Sequence, residues 1–362
     1  MTEDLMTFPL NKTKASRLNE VDFDNLQFGK VFSDHMFEME YNGEKWEKPK
    51  IVPFGPFGVT PAMSVFHYGQ AIFEGMKAFY VNDQTFNIFR PEVHHDRIIN
   101  SGERLCMPVP DKDVFISALK ELIKLDFNWI PKKQGTALYL RPFIIATDDI
   151  IAARASESYK FFIITSPVGA YYAEGFNPIK LVTAQNYVRA VEGGTGFAKA
   201  AGNYAASFLP AQKARKMGFT QVLWLDAKEH RYIEEVGTMN IHFVIDDKLV
   251  TPNLTGSILP GVTRRSVIHL AKEWGIEVEE RLISIDEVME SHANGTLQEV
   301  FGSRTAAVIS PVGTIEHDGT QITISDGKVG PMASRLFKAI TDIQYGRVDD
   351  KYNWVLNINI QD

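Results

Sequence analysis

The sequence has a single cysteine, Cys106, among its 362 residues. One cysteine can close no internal disulfide and build no cysteine zinc cluster, which excludes a disulfide scaffold and a zinc finger. With no disulfide framework, a reducing cytoplasm is the expected location. No run approaches about 18 consecutive apolar residues, so no segment is a candidate for a membrane-spanning helix. The first residues carry Glu3 and Asp4 and no apolar core, so a secretory signal is not expected. Charge of one sign is also scarce: 38 basic residues face 45 acidic ones, a net charge of −7. Such a balance supplies no global drive toward nucleic acid or an anionic membrane, and neither is expected as a partner. There is no His-x-x-x-His pair, no G-x-S-x-G elbow and no P-loop, so no metal site is expected. What remains is the composition of an ordinary soluble enzyme, 44% hydrophobic and 23% charged. The length favours two domains.

Residues 71–80 and 86–90 read as strands joined at Asn82-Asp83, and 91–104 reads as a helix opening on Pro91. A second helix, 112–126, places Phe115, Leu119, Leu122 and Ile123 at helical spacing. Strands follow near 137–146 and 160–166. The stretch 169–178, rich in Gly, Pro and aromatics, is the expected linker between a domain of 1–168 and one of 179–362. Beyond it come a strand near 179–184, a helix near 203–217, a strand at 221–226 and a strand pair turning at Asp246-Asp247. A helix at 261–273, a capping box at Ser284, a strand at 298–302 and a hairpin at 307–325 complete the pattern. The mixed order argues for an α+β fold.

Four segments hold candidate chemistry. In 193–204 (GGTGFAKAAGNY) Lys199 stands alone among small residues. It is either an amine activated by desolvation or a surface lysine in a flexible loop. In 256–266 a Pro260-Gly261 turn leads into a helix whose first amides suit an anion, or are simply capped. The turn 301–306 (FGSRTA) and the adjacent Glu234-Glu235 are a possible site edge or, more blandly, a hairpin and a solvated strand. Arg141, flanked by strand hydrophobics, calls for a carboxylate or phosphate partner. Cys106, between Leu105 and Met107, reads as an inert buried thiol.

HYGQAIFEGMKAF (67–79), FRPEVHHDRI (89–98), LYLRPF (138–143), SPVGAYY (166–172), GGTGFAKAAGNYAAS (193–207), QVLWLD (221–226), EEVGTMN (234–240), ILPGVTRRS (258–266), FGSRTAAVISPVG (301–313) and DIQYG (342–346) stand in order along the chain. Together they resemble the branched-chain-amino-acid aminotransferases. That resemblance implies a fold type IV enzyme dependent on pyridoxal 5'-phosphate. It implies a smaller N-terminal α/β domain and a larger C-terminal domain with a pseudo-barrel of strands, the cofactor lying between them. A homodimer is expected, with branched-chain amino acids and 2-oxoglutarate or glutamate as substrates.

By motif match the resemblance gives Lys199 the Schiff base, Tyr204 the cofactor's phenolic oxygen and Glu235 its pyridine nitrogen. Arg97, the amides of Val262 and Thr263, and Thr305 would hold the phosphate. Tyr68, Tyr139, Arg141 and the Thr305-Ala306 turn would meet the substrate, with Phe73 and Tyr171 as walls of its side-chain pocket. Arg141 would receive the glutamate side chain. The chain departs from the family pattern at Arg304, where many relatives have glycine. It also has Ala307 and Ser310 where some relatives carry a Cys-x-x-Cys pair. Arg304 either keeps an ordinary backbone with its side chain outward or projects over the site. Two other readings stay open here: a different fold type IV activity, such as D-amino-acid transamination or aminodeoxychorismate cleavage, and a binding protein that has kept the fold.

Overall fold

The computed structural model describes residues 8–169 and 176–362. Tyr171 and most of the expected linker lie outside the described residues. The chain divides into two compact units. The first takes the described residues before the linker together with Ala198–Ala201 and Ile343–Asp362; the second takes those after it up to Phe197, and Gly202–Asp342.

The first unit contains β1 (His35–Tyr41), β2 (Lys50–Pro53), α1 (Ser64–Tyr68), β3 (Ala71–Phe73), β4 (Met76–Asn82), β5 (Thr85–Phe89), α2 (Pro91–Arg104), α3 (Lys112–Leu125), β6 (Ala137–Ala146) and β7 (Tyr159–Val168). Its strands pair antiparallel, with β6 central between β4 and β7. The core joins Phe37, Phe86, Ile88 and Leu140 of the strands to Ile98 of α2 and Phe115, Leu119 and Leu122 of α3, all fully buried. The expected strand 71–80 breaks at Glu74-Gly75. There the Glu74 amide donates to the Pro142 carbonyl at 2.7 Å, and the hydroxyl of Tyr139 fills the space where a Cβ of residue 75 would stand. Only glycine fits that approach. In α2 the buried face runs through His94, Arg97, Ile98 and Ser101. Spacings of three and four residues put these polar groups on the stripe that faces inward. Past α2, Cys106 takes a left-handed φ of 56°. The turn sends Met107 into the core and leaves Cys106 exposed, not buried as its apolar neighbours suggested.

The second unit contains β8 (Ile179–Thr183), α4 (Ala201–Ala205), α5 (Phe208–Lys216), β9 (Gln221–Leu225), β10 (Ile233–Val236), β11 (Met239–Ile245), β12 (Lys248–Thr251), α6 (Val262–Glu273), β13 (Val278–Glu280), α7 (Ile285–Ala293), β14 (Leu297–Arg304), β15 (Val308–His317) and β16 (Thr320–Thr323), and it takes most of α8 (Pro331–Gln344). The run β10-β9-β8-β15-β14-β11 closes through pairing of β10 with β11, making a barrel-like ring. Leu181, Leu223, Val236, Ile241, Phe243 and Ile315 pack in its core. The expected helix 203–217 is two helices. Pro210 offers no N–H to residue 206, so a continuous helix is interrupted and α5 restarts with proline in its first turn. Ser284 caps α7, its hydroxyl accepting from the Glu287 amide at 3.0 Å.

A last strand, β17 (Val355–Asn359), pairs with β5 of the first sheet, so the terminal residues leave the expected 179–362 domain. β17 covers an otherwise open edge and buries Ile358. Among the described residues no helix is long and apolar enough to cross a membrane, and no cluster of His, Cys, Asp or Glu could hold a metal ion.

Candidate active site

In the first unit α2, β6 and the break after β3 bring Arg97, Arg141 and Glu74 to Lys199. The Lys199 carbonyl accepts from the Phe73 amide at 3.1 Å, and its own amide donates to Ser101 Oγ at 2.9 Å. Its Nζ stands 4.4 Å from the centre of the Phe73 ring. Burial, and then the charge of Arg97, pull the lysine down to a pKa of about 7, against the opposing pull of Glu74. The solvated-loop reading of Lys199 is thereby set aside: near neutrality a large share of this amine is unprotonated.

Glu74 is fully buried. Arg97 donates to it twice, Nε to Oε1 at 2.6 Å and one terminal nitrogen to Oε2 at 2.7 Å. His94 Nδ1 lies 2.7 Å from Oε2. Burial alone would raise the carboxyl; the charges of Arg97 and then His94 hold it well below the usual carboxylate range. His94 is itself held below its ordinary value, burial outweighing the pull of Glu74. Arg97, which the resemblance expects to hold a phosphate, presents two of its nitrogens to a carboxylate of its own chain as well.

Phe73, Tyr139 and Arg141 sit beside this cluster. The Arg141 guanidinium lies 4.5 Å from the Phe73 ring centre and 5.3 Å from that of Tyr139. It donates to the Tyr139 hydroxyl at 3.0 Å. Its Nε is buried without a hydrogen-bond partner, and it has no carboxylate partner among the described residues. Tyr68 is placed apart, on α1, its hydroxyl donating to the Ile151 carbonyl at 2.5 Å.

In the second unit Tyr204 and Glu235 line one small opening, with Arg189, Asn203, Ser207, Gly237, Thr238 and Leu259. Both Glu234 and Glu235 are buried, so the solvated-edge reading fails for the pair. Neighbouring strand residues point to opposite faces, and here both faces are covered. Glu235 accepts from the Leu259 amide at 2.7 Å and lies 3.2 Å from Arg189. Glu234 accepts from Ser257 Oγ, and burial raises its pKa.

Val262 and Thr263 open α6, both buried. A helix's first amides have no partner within the helix, which leaves these two for an anion. Thr305 and Ala306 form the turn between β14 and β15. Arg304 is not among the residues with positive φ; the left-handed residue near this turn is Val308, at 62°. The Arg304 side chain donates to Thr238 Oγ1 at 2.6 Å, on the rim of the Tyr204–Glu235 opening.

The family model described as "Amino-transferase class IV" matches residues 71–315. A branched-chain-amino-acid aminotransferase 2 of Bacillus subtilis (strain 168) is 48% identical over 99% of this chain and 98% of its own. The chain belongs to the class IV amino-transferases, among the branched-chain-amino-acid aminotransferases. Its fold is that of solved members of this fold type IV family. The Escherichia coli branched-chain amino acid aminotransferase shares 30% identity at a TM-score of 0.72, covering 89% of this chain and 98% of that one. The T.th. branched-chain amino acid aminotransferase complexed with N-(5'-phosphopyridoxyl)-L-glutamate shares 25% at 0.71, covering 88% and 97%.

Glu74, His94 and Arg189 were not among the residues assigned to the site from the family motifs. Glu74 and His94 stand inside motifs quoted for the resemblance, yet nothing in the spacing pairs residues 20 positions apart. Arg189 carried no signal beyond being one cation in a loop.

Proposed function

We propose that the chain transfers the amino group of leucine, isoleucine or valine to 2-oxoglutarate, giving a branched 2-oxo acid and L-glutamate, with pyridoxal phosphate bound through Lys199. Membership of the branched-chain-amino-acid aminotransferases, with a relative crystallised as a phosphopyridoxyl-glutamate complex, makes it a pyridoxal-phosphate-dependent transaminase. The observation that carries the assignment to Lys199 is its amine, drawn to a pKa of about 7 by burial. The donor set fits such a cofactor. The first unit offers an amine that is largely neutral; the second offers a phenol and a carboxylate on one opening, and a buried helix start for a phosphate.

Bound pyridoxal phosphate supplies an electron sink for the charge left at the substrate Cα. The chain's own residues do the rest. Lys199 Nζ, freed once the substrate amine takes its place on the cofactor, would accept the proton from the substrate Cα and deliver it to the cofactor carbon on the other side of the substrate nitrogen. Glu235 holds a proton on the pyridine nitrogen, and Tyr204 orients the ring through its hydroxyl. Arg97, the amides of Val262 and Thr263, and Thr305 bind phosphate oxygens. Phe73 presents an apolar wall to a branched side chain, with Tyr68, Tyr139 and Ala306 completing the substrate contacts. Arg141, a cation with no carboxylate partner among the described residues, receives the second carboxylate of glutamate.

A homodimer in the cytoplasm is part of this reading. It is supported by the family expectation and by a chain with one cysteine; light scattering on the purified protein checks the assembly. The activity is tested by a coupled assay with 2-oxoglutarate and a panel of L- and D-amino acids. Turnover of leucine, isoleucine and valine is expected. Preferential turnover of D-alanine would replace the reading with D-amino-acid transamination.

A further inference from the structure

Arg189 has a place in the second unit that no motif assigned. Its side chain is 8% exposed, beside Glu235 at 4%. One terminal nitrogen donates to the Gly196 carbonyl at 3.2 Å and to the Ser257 carbonyl, and lies 3.2 Å from Glu235 Oε1. Its Nε is buried with no hydrogen-bond partner among the described residues. The backbones it touches meet closely: a Cβ at residue 196 would collide with the Ser257 carbonyl and with Ala190 Cβ. Only glycine permits that contact, so the position of Gly196 depends on what holds it there.

The three segments joined by this guanidinium each lead to a residue of the proposed site. Gly196 precedes Lys199 by three residues in the sequence, Ser257 lies in the loop that enters α6 at Val262, and Glu235 is on β10. Ser257 is held a second time, its hydroxyl donating to Glu234. Glu235 Oε1, the oxygen beside Arg189, also accepts from the Leu259 amide, so two donors meet at one carboxylate oxygen.

We propose that Arg189 is a positioning residue of the cofactor site, which aims and charges the Glu235 carboxylate while pinning the loops that carry Lys199 and the start of α6. Arg189 has this role only if Glu235 is the partner of the pyridine nitrogen, as assigned under the proposed function. A cation in contact with a carboxylate favours its ionised form. An ionised Glu235 holds a pyridine proton by charge, which a protonated carboxyl does not. One terminal nitrogen at the end of the long arginine side chain meets all three acceptors, and the guanidinium keeps its charge in this buried setting, where a lysine amine loses its proton more readily.

The test uses wild type, Arg189→Met, Arg189→Lys and Glu235→Gln. Each protein, stripped of cofactor, is titrated with pyridoxal phosphate, and the bound cofactor, labelled with ¹⁵N in its ring, is observed by NMR. In Arg189→Met the affinity should fall at least tenfold, and the ¹⁵N resonance should move toward that of unprotonated pyridine. Arg189→Lys should restore the resonance but leave the affinity at least threefold weak, since the shorter lysine side chain does not bring its ammonium to all three acceptors. It decides the matter if the methionine variant does not fold. A resonance unmoved in Arg189→Met, even with a lower melting temperature, would reduce Arg189 to a structural role and overturn the proposal. So would wild-type affinity in both arginine variants. Glu235→Gln separates the two levels. If it leaves the resonance unmoved, the pyridine assignment itself fails; if it moves the resonance and Arg189→Met does not, only the role of Arg189 falls.

Discussion

Each unit buries an arginine beside a glutamate, and the two pairs are built differently. Arg97 presents two nitrogens to both oxygens of Glu74, at 2.6 and 2.7 Å, and His94 adds a third contact. Arg189 lies 3.2 Å from one oxygen of Glu235 and uses the same nitrogen on two backbone carbonyls. The first pair is a bidentate unit within the core of its own unit. The second spreads one cation over several segments. Loss of a partner should therefore register as lost stability in the first unit and as lost placement in the second.

Glu74→Gln is the sharpest way to break that contrast. It leaves the Arg97 charge opposite a neutral amide in a fully buried setting. Removing one member of a buried pair costs about 3–5 kcal/mol, read by denaturant unfolding of the cofactor-free protein. Glu235→Gln, where the arginine retains its backbone acceptors, should cost less, about 1.5–3 kcal/mol for one charged hydrogen bond. Equal losses would mean that the two pairs do the same work.

Lys199 extends the comparison to pH. Its pKa in the folded chain is about 7, against an ordinary 10.5. Between these values the unfolded chain binds a proton that the folded chain has released. The stability of the cofactor-free protein should therefore rise with pH from about 7 upward and be independent of this group below it. Lys199→Met should remove that rise, as followed by melting temperature across a pH series.

Arg141 differs from both buried pairs in having no carboxylate partner among the described residues. Arg141→Ala should weaken the reaction of glutamate about 10–150-fold, the equivalent of one charge-assisted contact of about 1.5–3 kcal/mol, and spare leucine. Equal loss for the two substrates would make Arg141 a scaffold residue or a binder of the shared α-carboxylate. Arg304 should matter least. Its hydrogen bond to Thr238 is exposed, so Arg304→Ala should change the leucine KM by less than about fivefold, within roughly 1 kcal/mol.

Much of this was legible in the amino-acid order. Helical spacing located α2 and α3, and the Ser284 pattern located the start of α7, because these signals are local. Pro210 was visible too, and its missing N–H is the reason one expected helix is two. The turn at Cys106 was not, since a left-handed φ at a non-glycine residue leaves no mark on composition. Leu336, Ile340 and Ile343 recur at helical spacing on α8, so that helix was open to the same periodicity argument. The return of β17 to β5 was not, because strand pairing across such a separation is decided by an open sheet edge. At the site, Lys199 stood out among small residues. The Glu74–Arg97–His94 unit and the reach of Arg189 did not, since each joins residues that only the folded chain makes neighbours.

The central claim is that Lys199 is the amine that binds the cofactor. Reducing the loaded protein with borohydride and mapping its peptides tests this most directly. A pyridoxyl adduct on Lys199 is the predicted result, and its absence in Lys199→Ala should accompany a loss of turnover of at least about a thousandfold. A stoichiometric adduct on any other lysine would contradict the claim.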